Sequence, residues 1–162
     1  MLLAAKASDV PVTVLYAVAL TETGQRGRLQ PYAMNIAGKP AAFATLPEAL
    51  AGFSSARGRG VRLIDVGCMQ INHHYHHRNF ASLEEMFDPK RNVSYAADFL
   101  KRLYRQQGTW TAAVARYNAG PNNPPAQKSY VCAVLRNMVA SGFGSWTASA
   151  RNFCDTLRTS AR

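Results

Sequence analysis

At 162 residues the chain has the size of one domain with a substantial core, residues 1–162, and a hydrophobic share of 48% marks it as globular. No apolar run approaches the roughly 20 residues of a membrane span, which excludes a transmembrane helix. Nineteen Lys and Arg against nine Asp and Glu, formally +10, predict attraction to a polyanion. The basic residues are scattered and no recognition helix or zinc-finger spacing is present, so nucleic acid is not the expected partner. An acidic cell wall or an anionic surface remains open.

The first residues, Met1-Leu2-Leu3-Ala4-Ala5-Lys6-Ala7, read like the tail of an export signal, with an Ala-x-Ala ending before Ser8. An unstructured terminus is the alternative. A helix follows, expected from Asp9, with Ser8 or Asp9 as N-cap and Pro11 in the first turn, to Gly24. Val12, Leu15, Tyr16 and Ala19 form one stripe, while Val14, Ala17, Val18 and Leu20 continue the apolar surface round the back. A helix apolar on every side is a buried one. Glu22 stands near its C-terminal end, pointing out between Leu15 and Val18. Ionising a carboxylate there is costly, and the negative end of the helix dipole adds to the cost. Both effects favour the protonated acid, as a group that donates a proton near neutrality requires.

Tyr32–Ile36 and Ala41–Ala44, separated by Gly38-Lys39-Pro40, predict a short hairpin. Leu46–Ser55 predicts a helix weakened by Gly52, Ser54–Gly60 a loop, and Val61–Asp65 a third strand. Ser82-Leu83-Glu84-Glu85 has capping-box spacing. Asp88-Pro89 opens the longest helix, with Val93, Ala96, Ala97, Leu100, Leu103 and Tyr104 in the 3.6 period and Gly108 as its end. Asp98, opposite that stripe, is placed to pair with Arg102. Further helices carry Trp110, Ala113, Val114 and Tyr117, then Val131, Val134, Leu135 and Met138, with Asn122-Asn123-Pro124-Pro125 as the loop between. A last helix covers Trp146–Leu157.

Three segments carry polar groups suited to sugars. Gly67-Cys68-Met69-Gln70-Ile71-Asn72 combines a glycine that allows close backbone approach with two amide side chains. In Arg116-Tyr117-Asn118-Ala119-Gly120, Asn118 lies four residues after Val114 and so shares its face, at the end of the helix. Ser129-Tyr130-Val131 adds a phenol. Together with Glu22-Thr23, in this order and spacing, these segments resemble the E-S, G-L-M-Q-I, A-Y-N-A-G and Y-V motifs of the family 1 lytic transglycosylases. The resemblance runs from about Val10 to Val139. In size and in Met69-Gln70-Ile71-Asn72 the chain is similar to the small members that accompany secretion systems, pili or flagella.

The resemblance implies a lysozyme-like α+β fold, mainly α, with a small antiparallel sheet inserted after the helix of Glu22. It also implies non-hydrolytic cleavage of peptidoglycan between N-acetylmuramic acid and N-acetylglucosamine, with Glu22 as single acid/base and no cofactor or metal. Thr23, Gly67, Met69, Gln70, Tyr117, Asn118 and Tyr130 would bind the glycan strand. The same likeness offers components of a secretion, pilus or flagellar machine as partners of a monomer, and the signal-like Met1–Ala7, read as a truncated export signal, points to the periplasm. Three positions depart from the family: Thr23 for serine, Cys68 for leucine and Arg116 for alanine.

Asp65, five residues before Gln70, is the competing carboxylate. Aimed at the site it would make the protein a hydrolytic muramidase; aimed at backbone amides it would brace the turn at Gly67. An inactive glycan-binding assembly subunit is the third reading, against which the intact Glu22 speaks. His73-His74-Tyr75-His76-His77 lacks a zincin glutamate and reads as a polar rim rather than a metal site. Of Cys68, Cys132 and Cys154, the last two sit early in one helix and late in the next, so an antiparallel pair would join them in a disulfide. Cys68 is then a buried free thiol.

Overall fold

The computed structural model describes residues 1–25 and 27–159, the side chains of 156–159 excepted. The chain divides into two compact units, one of residues 22–96 with Met1, the other of residues 2–21 and 97 onward. The helices α2 (Val12–Thr23) and α6 (Pro89–Gln107) each contribute residues to both.

The first unit is built on a four-stranded antiparallel sheet in the order β2-β1-β3-β4. β1 (Ala33–Ile36) and β2 (Lys39–Ala42) form the expected hairpin. Ala37 and Gly38 both adopt positive φ, 51° and 86°, as a two-residue turn with the right strand twist needs. Pro40 is tolerated because β2 is an edge strand, where a missing N–H breaks no ladder. β3 is Ile64–Val66, three residues later than the pattern at Val61 predicts, and β4 (Ile71–Asn72) is a strand that the pattern does not reveal. Two residues show too little alternation to be recognised.

Around the sheet, α3 runs Leu46–Gly58, through the segment expected to be loop. It closes only where Gly60 takes φ 82° and its N–H reaches Arg57 O at 2.9 Å. Gly52 lies in mid-helix because a Cβ there would come within 2.5 Å of the Phe43 ring. A short helix α4 (His73–His76) and α5 (Leu83–Phe87) follow. Ser82 caps α5 as its spacing predicts, its hydroxyl accepting from the Glu85 N–H, while the Glu85 carboxylate accepts from Ala81 N–H at 2.6 Å.

In the second unit, Leu2–Ala7 form α1, with Ala4 and Ala5 buried. The helix ends in a left-handed cap in which Asp9, φ 51°, donates to Lys6 O and Val10 to Ala5 O. α2 therefore starts at Val12 rather than Asp9. Its residues Leu15, Ala17, Val18 and Ala19 are wholly buried, as a helix apolar all round requires. α6 buries Ala97, Leu100 and Leu103 here, and Gly108 ends it. Asp98 accepts the Ser8 hydroxyl at 2.6 Å, and Arg102 lies over the Phe99 ring.

α7 (Trp110–Asn118) packs on α8 (Pro124–Ala140). α8 begins earlier than its apolar stripe: Asn123 caps it and the two prolines, read as loop, occupy its first turn, where a missing N–H costs nothing. α9 (Ala148–Thr159) is joined to α8 by the expected disulfide Cys132–Cys154, with Cα atoms 5.7 Å apart. Cys68 is free and buried. Among the described residues no helix is long and apolar enough to cross a membrane.

The disulfide yields a direct test. Replacing both cysteines, Cys132→Ser with Cys154→Ser, is expected to lower unfolding free energy by about 2–4 kcal/mol in urea titrations. Unreduced, denatured wild-type protein should titrate one thiol, that of Cys68.

Candidate active site

Glu22 lies half-buried in the last turn of α2, where the helix passes into the first unit. Its neighbour Thr23 fixes that turn. The Thr23 hydroxyl donates to Cys68 O at 2.7 Å and accepts from the Gln30 N–H at 3.4 Å. A threonine serves here because only the hydroxyl is used, and its stiff χ1 holds the bond in place.

The segment that receives this bond is the turn Gly67–Gln70, between β3 and β4. Gly67 has φ 78° and Gln70 φ 47°, so the turn depends on left-handed backbone at both ends. Gly67 N–H donates to Ala33 O at 2.9 Å, and Gln70 N–H closes the turn on Gly67 O at 3.1 Å. The Gln70 side-chain amide donates to Gly67 O at 2.9 Å and Ala33 O at 3.2 Å. Its two N–H donors are thus engaged by backbone, and Oε1 is what it can offer a ligand. Met69 is fully buried and Cys68 nearly so; burial pushes the Cys68 thiol above its ordinary range.

Below the turn sits Asn92 of α6, fully buried. Its Oδ1 accepts from Met69 N–H at 2.8 Å, and its Nδ2 donates to Met86 O at 2.8 Å and Val66 O at 3.1 Å. A Cβ on Gly67 would lie 2.5 Å from that Nδ2, so the glycine is required by space as well as by φ. Sequence reasoning overlooked Asn92. The signal was available: it stands four residues before Ala96, on the buried stripe of α6.

Asp65 does something other than brace the turn. The alternation runs from Ile64, so Ile64 and Val66 are buried together and Asp65 lies on the opposite face. Its Oδ1 accepts from the Asn72 side chain at 2.6 Å across the β3–β4 register, and Asn72 Oδ1 accepts from His74 N–H, capping α4. Asn72 thus gives its Oδ1 and one of its N–H groups to structural partners. Burial pushes the Asp65 carboxyl above its usual range, against the lowering effect of the Asn72 bond. Asn35, its β1 partner in register, has a buried Oδ1 without a hydrogen-bond partner among the described residues.

The histidine run forms ring contacts. His73 and His77 stack with centroids 5.0 Å apart, His77 Nδ1 meets His73 O at 2.9 Å, and His73 packs on Phe53 at 4.7 Å. Burial, then the neighbouring His77 and Arg57, hold the His73 pKa below its ordinary value. Among the described residues no group of three or more potential ligands is placed to hold a metal ion.

Tyr117, Asn118 and Tyr130 belong to the second unit. Tyr117 is half-buried with its ring 5.5 Å from Phe99, and Tyr130 is buried in α8. Asn118, expected on the apolar face, is exposed: α7 ends at it and Ala119 turns to extended backbone. Arg116 is half-buried. Gln127 secures the α7–α8 loop by donating to Gly120 O at 2.6 Å.

The transglycosylase SLT domain model matches residues 2–136, which takes in every residue discussed above as a site candidate and stops before α9. No curated protein and no solved structure matches the chain.

Two outcomes follow from this geometry. Asn92→Leu leaves one N–H and two carbonyls buried without partners; at about 1–3 kcal/mol each, a loss of at least about 3 kcal/mol is expected in denaturant unfolding. Asp65 binds a proton more tightly folded than unfolded, so its contribution to stability is fully present below the unfolded pKa near 3.8 and lost as pH rises through the native value. Asp65→Asn, neutral throughout, should therefore gain Tm relative to wild type between acid and neutral pH. A loss over the same range would contradict the burial.

Proposed function

The chain belongs to the transglycosylase SLT domain family, lysozyme-like lytic transglycosylases of peptidoglycan, and from that membership we propose that Glu22 is its single acid/base. Protonated, Glu22 gives its proton to the oxygen between N-acetylmuramic acid and N-acetylglucosamine, and the glycosidic bond breaks. As carboxylate it then takes the proton from the muramyl C6 hydroxyl, whose oxygen bonds to the anomeric carbon of the same residue and closes a 1,6-anhydro ring. Glu22 ends as it began, and no water is consumed. An internal nucleophile has a large effective concentration, which lets it outrun water.

The observation that carries the reading is the tie between Thr23 and Cys68 O, which joins the turn of α2 bearing Glu22 to the Gly67–Gln70 segment. In this reading Thr23, Gly67 and buried Met69 act by holding that segment, and Gln70 presents Oε1 to a sugar hydroxyl or acetamido N–H. Tyr117, Asn118 and Tyr130 take the sugar contacts that the family motifs assign to them. Acting on peptidoglycan, the protein works outside the cytoplasm. We place it in the periplasm, where the Cys132–Cys154 bond is stable, as a monomer that opens the wall locally for a secretion, pilus or flagellar apparatus. A charge of +10 suits an acidic wall.

Glu22→Gln should leave fold and glycan binding intact and reduce solubilisation of purified sacculi by at least about 10²–10⁴-fold. Mass spectrometry of muropeptides released by wild type should find 1,6-anhydromuramic ends, and Asp65→Asn should remain active. Reducing ends from wild type, with a folded but inactive Asp65→Asn, would instead establish the hydrolytic muramidase, in which Asp65 is the second carboxylate. Near-parental lysis by Glu22→Gln would remove Glu22 from the chemistry.

A further inference from the structure

The second unit contains a cavity of about 370 Å³ at the N-terminal end of α2, lined by Lys6, Asp9, Pro11, Lys101, Tyr104 and Trp110 among others. None of the residues assigned to cleavage or glycan contact above lines it. Its volume lies in the range of small-ligand sites. Tyr104 and Trp110 stack with centroids 4.2 Å apart and an angle of 18°, and Lys101 Nζ lies over both rings, 5.3 and 5.8 Å from their centroids. The same ammonium donates to Asp9 Oδ2 at 2.6 Å and to Asp9 O at 3.0 Å. Lys101, followed by Arg105, holds the Asp9 carboxyl below its usual range, so it is an anion at neutral pH.

Asp9 also stands at a special backbone position. It occupies the left-handed position of the α1 cap, φ 51°, where glycine is at no disadvantage. The cap bonds, from Asp9 N–H and Val10 N–H, are made by backbone alone. Aspartate tolerates this conformation better than most side chains, and here its carboxylate, which the cap bonds do not use, stands at the rim of an aromatic, lysine-bearing cavity.

We propose that this cavity is a second saccharide-binding site, taking one or two pyranose units of an N-acetylated glycan. The stacked rings supply aromatic carbon for the C–H faces of a sugar. Asp9 supplies acceptors for hydroxyls and amide N–H groups, and Lys6 and Lys101 supply donors. Two lysines alone would favour phosphate, but the Asp9 carboxylate at the same rim repels it. The choice of sugar rests on the peptidoglycan reading: the site would hold a strand to the protein while another stretch is cut.

The test uses folded Glu22→Gln protein, which does not consume the probe, titrated with the N-acetylglucosamine tetramer and followed by ¹⁵N NMR. The indole N–H of Trp110 and the amides of Lys6, Asp9 and Lys101 should shift saturably, with a Kd on the order of 1 mM, while the indole of Trp146 serves as internal control. Glycine suits the cap conformation, so Asp9→Gly with an unchanged Tm deletes the carboxylate and leaves the fold intact; it and Tyr104→Ala should each weaken these shifts about tenfold or more. With Glu22 intact, Asp9→Gly should leave turnover of short soluble glycans unchanged and slow the release of fragments from whole sacculi. The proposal is overturned if the Trp110 indole does not respond, if the response survives both substitutions, or if sodium phosphate alone reproduces it. Inactivity of the wild type on sacculi would sink the cleavage reading, and the tetramer titration would still decide this site.

Discussion

The carboxamide of Asn92 is the constraint on which the first unit depends. One side chain, away from water, satisfies a backbone donor in the Gly67–Gln70 turn, a carbonyl at the end of β3 and a carbonyl in α5. In a low-dielectric interior each of those groups would be costly alone. The bonds also fix the spacing: the amide can approach only because position 67 has no Cβ. From the turn the constraint passes through Cys68 O to the Thr23 hydroxyl, and so to the helix turn that carries Glu22. The acid proposed for the chemistry thus stands on a regular helix whose last turn is tied by the Thr23 side chain to the backbone of the Gly67–Gln70 segment, the rigidity that such a role would need.

The second unit is organised differently. Its core is helix on helix, with α2 buried all round and small residues, Ala17, Ala19 and Ala113, allowing close packing. Backbone caps decide where its helices stop: Asp9 after α1, Gly108 after α6 and Gly142 after α8 all take positive φ. The disulfide adds α9 to this unit beyond the end of the family match, and a covalent tie is a sensible device for a short terminal helix. It also agrees with action on a wall that lies outside the reducing cytoplasm.

Much of this was legible beforehand because it rests on local patterns. Burial of α2 follows from an apolar residue on every side, the hairpin from its turn residues, and the ends of α5 and α6 from Ser82 and Gly108. The pairing of Cys132 with Cys154 follows from positions on neighbouring helices, and family membership from four short motifs in order. Asp65 and Asn118 show where local reasoning stops. β3 starts three residues later than the pattern indicates and buries Ile64 and Val66, which leaves Asp65 on the opposite face. A helix that ends at Asn118 itself leaves that residue in solvent rather than on the apolar face.

What the sequence by itself determined was the set of chemical groups and the elements that bear them: one acid at the end of an apolar helix, a glycine-led turn, two cysteines within reach, and a cationic surface. Tertiary structure alone decided how those groups are used. It gave Asn72 and the Gln70 donors structural partners, paired Asp65 with an amide, buried Asn92 among three backbone groups, and set Asp9 beside Lys101 and the Tyr104–Trp110 stack. The physical reason is that hydrogen-bond partners and burial depend on residues distant along the chain. Residues 9 and 101, or 67 and 92, carry no mark of each other until the chain has folded.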